Sequence, residues 1–164
     1  MDRLDSQQFR ASLDAFDAQV ARTPDIDRFC SASCWIMPAF EALSTDHELW
    51  AWQANSTDGY VDLCKGAHPR VGRYLQPLEA SWGLASPIIG RNATAVTREF
   101  VAQAKKIRHT WDILFLTGIN EDSPQFEALV RGFQADHFMG IGPAMGRQFA
   151  SIHDGLEGFL SRRS

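Results

Sequence analysis

The sequence predicts an α/β (α+β) domain: a mixed, mostly antiparallel central sheet flanked by helices. Three observations predict it. Residues 4–22 carry apolar side chains at helical spacing, and residues 49–75 change to strand-like runs separated by turn residues. From there helical and strand-like segments alternate along the chain. Finally, Trp111 to Leu116 is a nearly continuous apolar run after a helical segment, which suits a central strand covered on both faces.

Phe9, Leu13, Phe16 and Val20 define the first helix, which Thr23-Pro24-Asp25 stops. A second helix spans about 32–43, with Ser31 or Ser33 as its cap, Trp35, Ile36, Phe40 and Leu43 on its apolar side, and Pro38 as a kink or late start. Leu49–Gln53 reads as a strand with Trp50 and Trp52 on one face. Asn55–Gly59 is a turn cluster, Tyr60–Cys64 the returning strand, and Val71–Leu75 a third strand. Residues 76–90 are irregular around the apolar pair Ile88-Ile89. Val96, Phe100, Ala104 and Ile107 line a helix over 94–108. Ser123-Pro124, a cap followed by Pro at the first helical position, opens another through Phe126, Leu129, Val130 and Phe133. Phe138 to Ile152 is Gly-rich with one or two short strands expected, and Asp154 to Arg163 begins a last helix.

A length of 164 residues fits one domain, and 45% hydrophobic with 22% charged residues is a globular composition that argues against disorder. The net charge of −4 lacks the basic excess of a nucleic-acid binder, so no nucleic-acid partner is expected. Three cysteines, Cys30, Cys34 and Cys64, make no disulfide framework, and the five scattered histidines complete no metal-ligand pattern, so no metal is expected. The N-terminus has no apolar signal-peptide core and the apolar runs are too short to span a bilayer, which predicts no membrane partner and a cytoplasmic location.

No Walker loop, GxSxG elbow or HExxH is present. The glycines of Gly140–Gly146 are what a phosphate cradle uses, but Pro143 removes an amide and no clear helix follows, so a tight loop or strand bend is the plainer reading. The most unusual stretch is Leu75–Gly83. There Glu79 is a candidate base or hydrogen-bond acceptor and Trp82 a candidate substrate-facing ring; the alternative makes Glu79 a structural loop residue and Trp82 a core anchor. His68, beside Pro69, is a further candidate contact to substrate, or simply exposed. Trp50 and Trp52 form either an aromatic binding wall or a packed strand face.

Residues 29–43, FCSASCWIMPAFEAL, resemble the opening of a family of bacterial GNAT-like acyltransferases that includes CelD-type proteins of cellulose or exopolysaccharide biosynthesis and is related in fold to the FemAB-type aminoacyl transferases. The hairpin Leu49–Cys64, the segment QPLEASWGLASPIIG, the run WDILFL and the helix opened by Ser123-Pro124 fit the same order, so the resemblance covers roughly 29–164. It implies a GNAT-like N-terminal domain over 1–152, with 153–164 starting a helix toward a second GNAT-like domain. The implied activity is N-acyl transfer, such as N-acetyl transfer, to an amine acceptor from acetyl-CoA or another acyl-CoA. The relatives are about twice as long, and in them the coenzyme machinery lies mainly in the second half. Single GNAT domains hold the coenzyme pyrophosphate with an Arg/Gln-x-x-Gly-x-Gly/Ala loop between a strand and a helix. The nearest match here, His137-Phe138-Met139-Gly140-Ile141-Gly142, has His for Arg or Gln, so no cofactor-binding residue is expected in this chain. The implied role is the acceptor side of a cleft completed by a second domain or a protein partner. The alternative is a non-catalytic interaction or small-molecule-binding domain.

Overall fold

The chain is built as three layers, helices on each face of one six-stranded sheet, in a computed structural model that describes residues 1–144 and 155–161. The sheet is mostly antiparallel.

The first helical stretch divides. Strand β1 (Asp2–Leu4) pairs antiparallel with β2 (Glu48–Gln53), and helices α1 (Ser6–Ala11) and α2 (Leu13–Val20) follow. The reason is local chemistry that outweighs periodicity. Asp5 forms a reciprocal capping box with Gln8, and the Ser12 hydroxyl bonds the Phe9 carbonyl where the helix breaks. Phe9, Phe16 and Val20 still share one buried face. Helix α3 (Ser33–Leu43) has no side-chain cap of its own. Asp17 of α2 supplies it, accepting the Ser33 N–H at 2.7 Å and the Ser33 hydroxyl at 2.6 Å, while the Ser31 hydroxyl accepts the Ser86 N–H.

Strand β3 (Gly59–His68) forms the spine, with β2 on one edge. On its other edge lie two strands running in the same direction, β4 (Gly72–Pro77) and β5 (Ile88–Gly90). Leu63 faces Pro77 and Val61 faces Ile88, so residues 78–87 leave the sheet and return opposite Asp62, whose N–H donates to the Pro87 carbonyl at 3.0 Å. These two strands amount to one interrupted strand carrying an excursion.

Helix α4 (Ala93–Lys106) buries Val96, Phe100 and Ala104 against the sheet, each large side chain worth about 1.5–3 kcal/mol. Strand β6 (Ile113–Leu114) then pairs parallel with β4. This corrects the expected central strand: β6 is two residues long and ends the sheet order, with Ile113 43% and Phe115 49% exposed. An apolar run does not reveal whether both its faces are covered. Here Trp111, Leu114 and Leu116 meet the core while Ile113 and Phe115 alternate outward. Helix α5 (Pro124–Phe133) starts as the sequence indicates, the Ser123 side chain accepting the Phe126 N–H. Residues 138–144 form no strand; the other expected strand positions, 145–152, lie outside the described residues. Helix α6 spans Gly155–Ser161.

One core cluster joins α1, α2 and α3 to Leu49, Ala51, Tyr60, Cys64 and Ile89. The other joins α4 and α5 to Trp50, Trp52, Val61, Leu63 and Leu75. No helix among the described residues is long and apolar enough to cross a membrane.

Candidate functional site

The excursion 78–87 brings Glu79 and Trp82 together. Pro77 ends β4, and opposite Asp62 the chain turns out of the sheet. Leu78 and Glu79 stay buried at 2% exposure each, whereas Trp82 rises to 60%. Glu79 Oε1 accepts the Trp82 backbone N–H at 2.7 Å, and Gly83 at φ 67° lets the chain reverse behind it. Glu79 Oε2 is buried and has no hydrogen-bond partner among the described residues. Trp82 is therefore not a core anchor. Its ring lies 4.9 Å from that of Trp35, which lies 5.4 Å from Phe29, itself 64% exposed. The indole Nε1 of Trp35 is likewise buried and has no hydrogen-bond partner among the described residues. The site is thus a tilted row of three aromatic rings associated with a buried carboxyl.

On the far side of the excursion, Gly118 at φ 65° packs flat on the Ala85–Ser86 backbone; a Cβ there would stand 2.2 Å from the Ala85 oxygen. The segment following β6 therefore closes onto the loop where β4 stops.

The other candidates lie elsewhere. His68 is exposed at the β3–β4 turn, where its Nδ1 accepts the Arg70 N–H, about 20 Å along β3 from Asp62 at the strand rise per residue. Trp50 and Trp52 are 6% and 1% exposed and form a packed face rather than a wall. His137 stacks on Trp111 at 5.6 Å and meets Phe133 edge-on at 5.2 Å, while Gly140 and Gly142 stand in open space, so the segment 137–142 forms no cradle. At the strand-to-helix junction Gly90-Arg91-Asn92 into α4, the Asn92 side chain already takes the Ala95 N–H. Among the described residues no group of three or more His, Cys, Asp or Glu side chains is placed to hold a metal. Two open clefts, of about 350 and 340 Å³, lie by Arg3 and Glu48 and by Arg98 and Arg131; neither is lined by Glu79 or Trp82.

The sequence reading missed Asp62. It is 1% exposed, its Oδ1 lacks a partner among the described residues, and burial pushes its carboxyl well above the ordinary carboxylate range against the pull of its own backbone N–H. Its signal was available: an acid in the apolar alternation Tyr60-Val61-Asp62-Leu63-Cys64, on the same face as Tyr60 and Cys64. Next to it the buried Cys64 thiol is pushed up to about 11, mainly by desolvation.

Neither family models, curated proteins nor solved structures yield a match to this chain.

Proposed function

We propose that this chain is the acceptor-side half of a GNAT-like N-acyltransferase, presenting Glu79 and the Trp82–Trp35 surface to an amine. The observation that carries the reading is the interrupted strand. The sheet opens at Asp62, and the excursion from that break holds a buried acceptor oxygen beside exposed rings. In the complete protein the amine nitrogen attacks the thioester carbon of an acyl-CoA, the C–S bond breaks, and coenzyme A leaves as the thiol after taking up the proton that nitrogen loses. Glu79 hydrogen-bonds the amine and relays that proton. No side-chain nucleophile is required, because positioning and oxyanion stabilisation supply the rate. The coenzyme belongs to a second GNAT-like unit in this reading. The junction at Asn92 supports that division, having a cap where an open anion cradle would need free amides.

The same cap favours the second reading, a non-catalytic domain that binds a partner or a small molecule at the aromatic row. Calorimetry separates them. Acetyl-CoA is titrated into the chain alone and into an extended protein in which a second GNAT-like domain is joined to it. Heat in the extended protein only is the expected result. Saturable micromolar binding by the chain alone overturns the half-site assignment, and no binding by either leaves the non-catalytic domain.

A further inference from the structure

Buried polar atoms in folded proteins almost always have partners, so two orphans associated with one exposed ring call for an explanation. Glu79 Oε2 offers an unused acceptor and Trp35 Nε1 an unused donor. Both belong to residues held to Trp82: Glu79 through the hydrogen bond to its backbone N–H, and Trp35 through ring contact at 4.9 Å. Trp82 itself is largely exposed on a short loop turned by Gly83. A ring that size ordinarily buries most of its area in the core or an interface.

We propose that Trp82 is a displaceable cap over a binding site for a primary amine that also carries a hydrogen-bond acceptor and a flat apolar body. The ammonium donates to Glu79 Oε2, the ligand's carbonyl or hydroxyl oxygen accepts from Trp35 Nε1, and the flat body lies against the rings that Trp82 uncovers. The polarity of the two orphans calls for a donor and an acceptor on one ligand, and the amine is the donor that the function argued above supplies. A carboxylic acid without an amine leaves Glu79 unsatisfied, and a plain alkylamine leaves Trp35 unsatisfied. The proposal names the acceptor for the function argued above and rests on that placement of the site, but binding needs no coenzyme.

The probe is phenylalanine amide, followed by tryptophan fluorescence and calorimetry without acetyl-CoA. Two controls each remove one group: 2-phenylethylamine has no carbonyl, and N,N-dimethyl-3-phenylpropanamide has no N–H donor. Phenylalanine amide is expected to saturate and each control to bind roughly tenfold more weakly. In Glu79→Gln, Oε1 must still accept the Trp82 N–H, so the amide nitrogen takes the orphan position and turns a donor toward the ammonium; amine binding falls at least tenfold. Trp35→Phe keeps the ring and loses the donor, so it erases the difference between phenylalanine amide and 2-phenylethylamine. Trp82→Ala speeds association in stopped flow. Equal affinity for all three probes, no saturation, or unchanged binding in Glu79→Gln overturns the site; an unchanged association rate in Trp82→Ala overturns the cap. Should Glu79→Gln melt early by circular dichroism, the Trp35→Phe comparison decides. Acyl transfer that depends on Glu79 but not on the Trp35 indole N–H sinks this inference alone, whereas amine binding without coenzyme binding by the extended protein sinks only the acyltransferase reading.

Discussion

Asp62 donates its backbone N–H to the Pro87 carbonyl at 3.0 Å, and that bond fastens the returning end of the excursion beside the place where β4 left the sheet. The backbone N–H of Asp62 is thus satisfied while its carboxyl Oδ1 has no partner among the described residues. A buried acid without a full set of partners costs stability whenever it ionises.

That cost has a sign. The folded pKa of Asp62 lies above the unfolded value of about 3.9, so the native state holds the proton where the unfolded state has lost it. Its contribution to stability is fully present below about pH 4 and declines as pH rises toward the folded pKa, at up to about 1.4 kcal/mol per pH unit. Urea unfolding of Asp62→Asn at pH 5 to 8 is expected to show a flatter profile and a gain over the wild type that grows with pH. The Cys64 thiol, raised to about 11, adds a decline of the same sign above pH 9. A wild-type curve parallel to that of Asp62→Asn over pH 5 to 8 would show that Asp62 does not set the slope.

At the other end of the sheet the sign reverses. Arg73 grips Asp112 with its Nε at 3.0 Å, its Nη2 at 2.9 Å and its backbone N–H at 2.8 Å. The Asp112 carboxyl falls to about 2, first through the Arg73 side-chain bonds. A depressed acid stabilises above the unfolded pKa of about 3.9 and loses that contribution as pH falls toward 2. The pair is well exposed, so its stability value is small. Arg73→Ala removes the guanidinium but keeps the backbone N–H of residue 73, so it is expected to raise the Asp112 carboxyl only part of the way to the ordinary carboxylate range in an NMR titration, and to speed amide exchange at Asp112, whose N–H bonds the Arg73 carbonyl.

How far the sequence disclosed this site depended on whether the signal was local. Ser123-Pro124 identified the start of α5 because cap and proline act within one turn. The mostly antiparallel sheet flanked by helices was legible from turn clusters and periodicity. Glu79 and Trp82 stood out by composition, and the structure adds what composition could not: the first is buried, the second exposed, and one bonds the other. Asp62 is important because β3 carries two partners on one edge, and that pairing depends on residues 77 and 88 together. Phe29 and Trp35 join Trp82 only through the fold. The run Trp111–Leu116 misled because hydrophobicity marks a strand but not its position in a sheet.

Gly118 tests whether the excursion is clamped in place. Its φ of 65° disfavours any side chain, and a Cβ would strike backbone atoms of Ala85 that cannot swing aside. Gly118→Ala is expected to cost about 2 kcal/mol or more in chemical denaturation and to raise amide exchange at Ser86. A loss under about 0.5 kcal/mol would mean that 84–86 and 118 are not held together in solution.

Helix α3 carries Trp35 two residues after Ser33, and the anchor of that helical end is Asp17 on α2, which accepts both the Ser33 N–H and its hydroxyl. An acid there also meets the positive end of the helix dipole. Asp17→Ala removes both acceptors and leaves the first turn of α3 uncapped, for a loss of about 1–2 kcal/mol. Asp17→Asn keeps one acceptor oxygen and loses less. Because the fraying starts next to Trp35, the indole should become more accessible to acrylamide quenching in Asp17→Ala than in a variant equally destabilised at the remote Phe133. Equal quenching in the two would show that the row is held by ring contacts with Phe29 and Trp82 rather than by the capped helix.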